Sequence, residues 1–224
     1  RALTWLSIDC SDRSIDDLLA ANTQVTEVWQ WNVDASSTHF TASAASPDQP
    51  DSQWKVWKRG LPNESTLGLL TANKSYIVRV GAGTSAFSLS LTGKPVAPRY
   101  QWKSSGVNFV GFPVVGTASP TFTEFLSNST VLNQGPPVFF YDGGALSLNP
   151  RRLVIPDSTL VVRGQAYWVQ VNDYTDFYGP LKISALNDDG VSYGAKLNSS
   201  TIRVKNVVGL AKNETITATF ALVD

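Results

Sequence analysis

The chain is poor in the residues on which cross-links and many catalytic or metal sites depend. Among its 224 residues there is one cysteine, Cys10, one histidine, His39, and no methionine. A single cysteine excludes an intrachain disulfide framework. A structural zinc site takes four Cys or His ligands, so two such residues are too few. A Ser-His-Asp triad would have to use His39, which stands in a polar run with no nucleophile-elbow motif in the chain.

Charge is also scarce. Charged residues make up 16% of the chain, and 18 basic residues balance 18 acidic ones. No basic stripe is visible along the sequence, so we predict no nucleic-acid partner. No run approaches the ~18 apolar residues of a membrane span, so we predict no transmembrane segment. We expect Arg1 to follow a removed signal peptide, which would place the protein outside the cell or at the cell surface.

The residues that are abundant are those of β proteins. Hydrophobic residues make up 42% of the chain and include seven tryptophans. β-branched and aromatic residues are frequent, while Ser, Thr, Asn and Gly take the place of charge. This mixture is typical of β-sandwiches with hydroxyl-rich outer faces.

Two halves of the chain follow one pattern, which is strand, short helix, aromatic strand, variable loop and two further strands. The matched segments are 3–8 with 107–112, 28–31 with 138–141, 70–80 with 161–171, and 87–89 with 181–183. Ser14 is the expected N-cap of the first helix, and Ser119, followed by Pro120, of the second. This order indicates a duplicated module.

We therefore predict a mostly β fold with two related β-sandwich-like modules, each carrying one short helix, plus a C-terminal strand pair. The predicted bounds are 1–97 for the first module, 98–190 for the second and 191–224 for the strand pair. The boundary between the modules is placed where Gly93, Pro95 and Pro98 interrupt the strand pattern.

The last thirty or so residues contain two alternating segments, at 200–205 and 215–223. An isolated two-stranded hairpin is marginal in water. These strands therefore extend a preceding sheet, begin a further domain, or pair with a neighbouring chain by strand addition. In the last case the candidate intersubunit strand is marked by alternate side chains, namely Thr215, Thr217, Thr219, Ala221 and Val223.

Two motifs in the second half are shared with a known class of proteins. Residues 105–113 read SGVNFVGFP and residues 164–169 read GQAYWV. This pair resembles the tandem Trp-rich β modules of large bacterial secreted and cell-surface proteins. The first half keeps only degraded forms of both motifs. The resemblance implies a surface or spacer domain and brings no catalytic residue with it.

Two oxygen-rich loops and several carboxylates are the remaining candidates for chemistry. The loops at 173–176 and 188–189 hold paired aspartates and are candidate calcium ligands, although neither matches an EF-hand. A glycosidase needs only two carboxylates. However, Asp16 and Asp17 are interpreted as first-turn helix charges and Asp142 as a turn residue. We predict no catalytic residue and no cofactor other than this candidate calcium.

Trp29 and Trp31 are candidate glycan contacts, because side chains two apart share one face of a strand. The alternative is that they fill the core, which Phe139 and Tyr141 at the matched positions favour. Asn-x-Ser/Thr sequons are candidates for N-glycosylation and occur at Asn63, Asn73, Asn128, Asn198 and Asn213.

These observations predict a non-enzymatic structural protein. It is expected to be a subunit of an extracellular assembly, such as a filament, sheath or surface layer, or a spacer domain of a cell-surface protein. Its expected partners are other copies of itself or neighbouring surface proteins. The alternative is a carbohydrate-binding or adhesive module with a polysaccharide partner, and a carboxylate-based hydrolase ranks third.

Overall fold

The computed structural model describes residues 2–5, 8–32, 54–104, 106–114, 119–141, 143, 152–185 and 201–207. Within these ranges the chain is mostly β and its strands pair antiparallel, which confirms the predicted class. None of the helices in this part of the chain is long and apolar enough to cross a membrane.

In the described residues of the first half, four strands form a sheet. Its elements are β1 (Ala2–Trp5), β2 (Ile8–Asp9), α1 (Ile15–Leu18), β3 (Val25–Trp31), β4 (Trp54–Lys58), β5 (Lys74–Val80) and β6 (Lys94–Pro95). The strand order in the sheet is β1-β5-β3-β4, while β2 and β6 form a separate pair. A 3-10 turn at Pro62–Glu64 follows β4.

The second half builds a sheet with the same strand order. Its elements are β7 (Gly106–Gly111), α2 (Phe122–Leu126), β8 (Val138–Phe140), β9 (Arg152–Leu153) and β10 (Ala166–Val171), with a 3-10 turn at Leu132–Gln134 between α2 and β8. The order is β7-β10-β8-β9. Counted from the first strand of each sheet, both orders read first, fourth, second, third. The helix lies between the first and second of these strands in both halves.

The hydrogen-bond registers correct the sequence alignment of the opening strands. Tyr76 lies opposite Leu3, and the matched Tyr167 lies opposite Val110. Leu3 therefore corresponds to Val110, three residues beyond the Val107 that the sequence pattern indicated. Every residue of β7 is buried, because both faces of its sheet are covered. The apolar alternation that would mark one face is consequently absent.

Each short helix begins at a side-chain cap. The Ser14 hydroxyl accepts the Asp17 N–H at 3.1 Å, which confirms Ser14 as an N-cap. The prediction of Ser119 as the second cap was wrong, since α2 is capped by Thr121. Thr121 and Glu124 form a capping box that satisfies two terminal donors reciprocally. That pairing outweighs the signal from Pro120.

The helices also attach to their sheets in the same way. The Ile15 N–H donates to the Gly68 carbonyl at 3.0 Å, and the Phe122 N–H donates to the Thr159 carbonyl at 3.1 Å. Ile15 and Phe122 directly follow the caps, and both are fully buried. Each helix therefore packs an apolar side chain beneath its own sheet.

The two sheets pack face to face through one cluster, called the central aromatic layer here. Its members are Trp29, Trp31, Trp54, Val56 and Ile77 from the first sheet, and Val107, Phe109, Tyr141, Ala166 and Trp168 from the second half. The opposite face of each sheet is covered by its helix and loops. Each half thus contributes one sheet to a shared pair, whereas two separate sandwiches were expected.

Trp54–Lys58 is a strand, β4, in the region between the aromatic strand and the following strands where the sequence pattern predicted only a variable loop, and that prediction was wrong here. Trp54 and Val56 join the central aromatic layer, while Trp57 packs in the outer cluster with α1. Trp57 is buried on the face opposite Trp54 and Val56, so the sequence departs from the strict period-two alternation by which strands are recognised.

The last described strands, β11 (Leu181–Ala185) and β12 (Ile202–Asn206), pair antiparallel, and this strand pair is called the β11–β12 hairpin here. The matched segment of the first half, 87–89, is not a strand. There Leu89 packs against the first-half core without regular pairing.

Gly93 directly precedes β6, and it permits a close backbone approach. A Cβ at this position would lie 2.2 Å from the Asp9 carbonyl oxygen and 2.8 Å from Cys10 Sγ. We expect Gly93→Ala to lower the free energy of unfolding by about 1–3 kcal/mol, since backbone must move to admit the methyl group. Urea denaturation measures this loss. Gly68→Ala is the matched control because a Cβ added at Gly68 would have no neighbouring heavy atom within 4 Å, and an equal loss in both variants would contradict the steric account.

Candidate functional site

The two candidate glycan-contact residues are buried. Trp29 and Trp31 are 1% and 8% exposed and belong to the central aromatic layer. The Trp31 indole N–H donates to the Val107 carbonyl of the second sheet at 3.2 Å. Side chains placed in this way offer no face to a sugar ring. The expectation of a glycan surface here is therefore corrected to core packing.

The two motifs that carry the resemblance lie side by side on paired strands. In the β7–β10 ladder Asn108 faces Val169 and Phe109 faces Trp168. Asn108 is fully buried, and its side chain accepts the Lys103 N–H at 2.8 Å and donates to the Lys103 carbonyl at 3.0 Å. The asparagine of the motif therefore holds the turn that precedes β7, which is a structural role.

The tyrosine of the second motif has a counterpart in the first half. The Tyr167 hydroxyl accepts the Val162 N–H at 2.9 Å, and the Tyr76 hydroxyl accepts the Thr71 N–H at the same distance. Burial raises the pKa of Tyr76 to about 12 and also raises the pKa of Tyr167. Both phenols remain neutral at ordinary pH and serve to fix the corner before their strands.

The five sequons differ in their access. Asn63 is exposed and Asn128 is half-buried. Asn73 has a left-handed backbone with φ 57°, and its side-chain nitrogen donates to the Ala97 carbonyl at 3.0 Å. Since a glycan would attach to that nitrogen, the folded chain disfavours modification at Asn73. Asn198 and Asn213 lie outside the described residues.

Candidate metal and acid sites are only partly described. The Asp176 carboxylate accepts a hydrogen bond from the Lys182 ammonium, and the Asp173 carboxylate accepts one from the Tyr174 N–H. Among the described residues no group of three or more His, Cys, Asp or Glu side chains is placed to hold a metal ion. His39, the 188–189 loop and the candidate intersubunit strand at 215–223 lie outside those residues.

The β11–β12 hairpin has two unlike faces. Residues directly opposite each other in an antiparallel pair share a face. Ile183 lies opposite Val204 on an apolar face, which also carries Ile202 and where Val204 is 38% exposed. The other face pairs Lys182 with Lys205. In the described part of the chain neither strand has a second strand partner, so each presents an edge.

The opposed lysines are balanced by one carboxylate. Like charges directly across a ladder destabilise it. Asp176 accepts a hydrogen bond from Lys182 at 2.6 Å. That bond lowers the pKa of Asp176 from its usual value, and the charge of Lys205 lowers it further. The same bond raises the pKa of Lys182. Asp176 and Lys182 therefore both stay charged at neutral pH.

Two cavities of about 370 Å³ each meet at the chain segment that joins the halves. The hairpin cavity lies between this segment, the end of α2 and the base of the β11–β12 hairpin. The linker cavity lies on the other side, against β2, β6 and the turn before β5. Arg99 lines both cavities. Sequence reasoning missed this site, because its residues are scattered from position 9 to position 207.

Comparisons with known proteins supply no relative for this chain. No protein-family model matches it, and no curated protein or solved structure shows significant similarity to it. The resemblance to tandem β modules of secreted bacterial proteins therefore rests on the motif residues alone.

Proposed function

We propose that this chain is a structural protein, either a subunit of an extracellular assembly such as a filament, sheath or surface layer, or a spacer domain of a cell-surface protein. In the subunit role, the strand predicted from the sequence at 215–223 adds to a neighbouring chain. The observation that carries the proposal is the β11–β12 hairpin, which within the described residues is a sheet of two strands with an exposed apolar face.

A two-stranded sheet is marginally stable in water by itself. Exposed strand edges are also the usual sites of strand addition between chains. Ile202 and Val204 are 37% and 38% exposed on the hairpin. A further strand from a neighbouring copy would pair with the backbone groups of an edge and place its own side chains beside Ile202 and Val204.

The proposal includes a duplicated module. The same strand order, the equivalent helix attachments and the paired tyrosine corners support one ancestral unit. Tandem modules packed through a rigid aromatic layer suit a load-transmitting role, because neither half can move without disturbing the shared layer.

Strand addition can be tested by removing backbone donors from the tail in the full-length chain. Successive N–H groups point to opposite edges of a strand, so Thr217→Pro with Ala218→Pro removes one donor from each edge. We expect the native chain to form regular polymers and the double variant to be monomeric. Light scattering and negative-stain microscopy measure this difference.

The matched control is Thr217→Ser with Ala218→Ser, which keeps both backbone donors and should assemble like the native chain. A spacer domain would be monomeric in all three forms. Monodisperse native monomers would therefore exclude the subunit role, and polymers that persist in the proline variant would exclude strand addition by this segment.

A further inference from the structure

The fold gathers basic side chains that are far apart in the sequence. The hairpin cavity and the linker cavity together are lined by five basic residues, called the basic face here: Lys74, Lys94, Arg99, Lys182 and Lys205. Only two acidic residues, Asp9 and Asp176, line the same cavities within the described chain. The chain as a whole has no net charge, so this surface is more basic than the chain on average.

Both carboxylates at this surface already have partners. Asp9 accepts the Ala72 N–H at 3.0 Å through one oxygen and the Ser11 hydroxyl at 2.5 Å through the other. Asp176 is bonded to Lys182. The five basic residues outnumber these two carboxylates, so the lining of the two cavities carries a net positive charge.

The neutral residues at the hairpin cavity suit hydroxyl-bearing ligands. Asn128, Thr130 and Ser184 line it with amide and hydroxyl groups. Tyr174, which is 73% exposed, directly precedes Thr175, a residue of the cavity lining. An exposed aromatic face beside a cation can stack on the apolar face of a sugar ring while the cation pairs with an acidic substituent.

From this arrangement we propose that the basic face binds an acidic polysaccharide. Arg99, Lys182 and Lys205 pair with carboxylate or sulfate groups on successive sugars, and the amide and hydroxyl lining bonds to sugar hydroxyls. Arg99 stands where the two cavities meet, so an extended chain would cross it. This site is separate from Trp29 and Trp31, and it does not depend on strand-mediated assembly.

The test is calorimetric titration of the full-length protein with polygalacturonate, heparin and neutral dextran at about 50 mM salt. We expect binding to at least one acidic polymer and none to dextran; the two acidic polymers separate carboxylate from sulfate recognition. Arg99→Gln with Lys205→Gln should raise Kd about tenfold or more and reduce the salt slope by about 2, one unit for each lost contact.

The matched control is Lys55→Gln with Arg163→Gln, which makes the same change of charge at exposed positions outside both cavities and should leave Kd within about twofold. Asp176→Asn should tighten binding, because it removes a negative charge from the site. Thermal melts confirm that each variant is folded. The tail variant Thr217→Pro with Ala218→Pro should bind like the native chain, whatever its state of assembly.

Three results would overturn the proposal. The first is a native chain that binds neither acidic polymer at low salt. The second is an equal loss of affinity in both double variants, which would show attraction to charge without a site. The third is tighter binding of single-stranded DNA through Arg99 and Lys205, which would assign the basic face to nucleic acid.

Discussion

Trp168→Ala is expected to lower the free energy of unfolding by about 3–5 kcal/mol, the usual cost of deleting a fully buried large aromatic side chain. Trp168 is 0% exposed. Its ring stacks on Phe109 at 4.3 Å between centroids and meets Trp54 edge-on at 6.2 Å. The substitution therefore removes contacts to a strand of its own sheet and to a strand of the other.

This placement predicts how the loss is distributed. Because Trp54 belongs to the first half and Phe109 to the second, the cavity would weaken both sheets at once. We expect the variant to unfold in a single transition in guanidinium chloride, with its midpoint at a lower denaturant concentration than in the native chain. Near-UV circular dichroism measures this transition. Two transitions, with one at its native midpoint, would contradict a shared layer and indicate independent modules.

Two further variants make the measurement specific. Tyr174→Ala removes an aromatic side chain that is 73% exposed, and it should change stability by less than about 0.5 kcal/mol. Trp168→Phe keeps an aromatic ring in the layer and should fold even if the alanine variant does not. We expect Trp168→Phe to lose less unfolding free energy than Trp168→Ala and more than Tyr174→Ala. A loss as small as that of Tyr174→Ala would show that the central aromatic layer contributes little to stability.

Local patterns in the sequence predicted some elements well. Residues 70–80 and 161–171 each place a turn residue, a tyrosine and an apolar alternation in series, and β5 and β10 occur there. Ser14 stands three residues before Asp17, and that spacing alone predicts its capping bond. These features depend only on neighbours along the chain.

Other features could not be predicted because they depend on how the sheets meet. β4 was missed since Trp54 and Trp57 are buried on opposite faces. The burial of Trp29 and Trp31 depends on a second sheet packing over them. The basic face brings Lys74 and Lys205 to adjoining cavities. A charge profile along the sequence compares only neighbouring residues, so it does not reveal a cluster of residues this far apart in the chain.

Asn108→Leu is the second substitution with a large expected effect, about 2–4 kcal/mol of unfolding free energy. Leucine is similar in size, so packing changes little and the loss reports hydrogen bonding. The native side-chain amide accepts a hydrogen bond from the Lys103 N–H and donates to the Lys103 carbonyl. It also donates to the Gly106 carbonyl at 3.4 Å. Each group that loses a buried partner costs about 1–3 kcal/mol.

The measurement is urea denaturation of Asn108→Leu beside Asn63→Leu, the same substitution at an exposed position, which should change stability by less than about 0.5 kcal/mol. Hydrogen exchange locates the effect. The Lys103 amide should exchange much faster in Asn108→Leu, because the side-chain oxygen that accepts its hydrogen bond at 2.8 Å is gone. The Val162 amide, at the distant tyrosine corner, should lose only the protection that follows from the lower global stability. Unchanged protection at Lys103 would show that apolar packing, and not the amide, holds this turn, and the motif asparagine would then have no structural role.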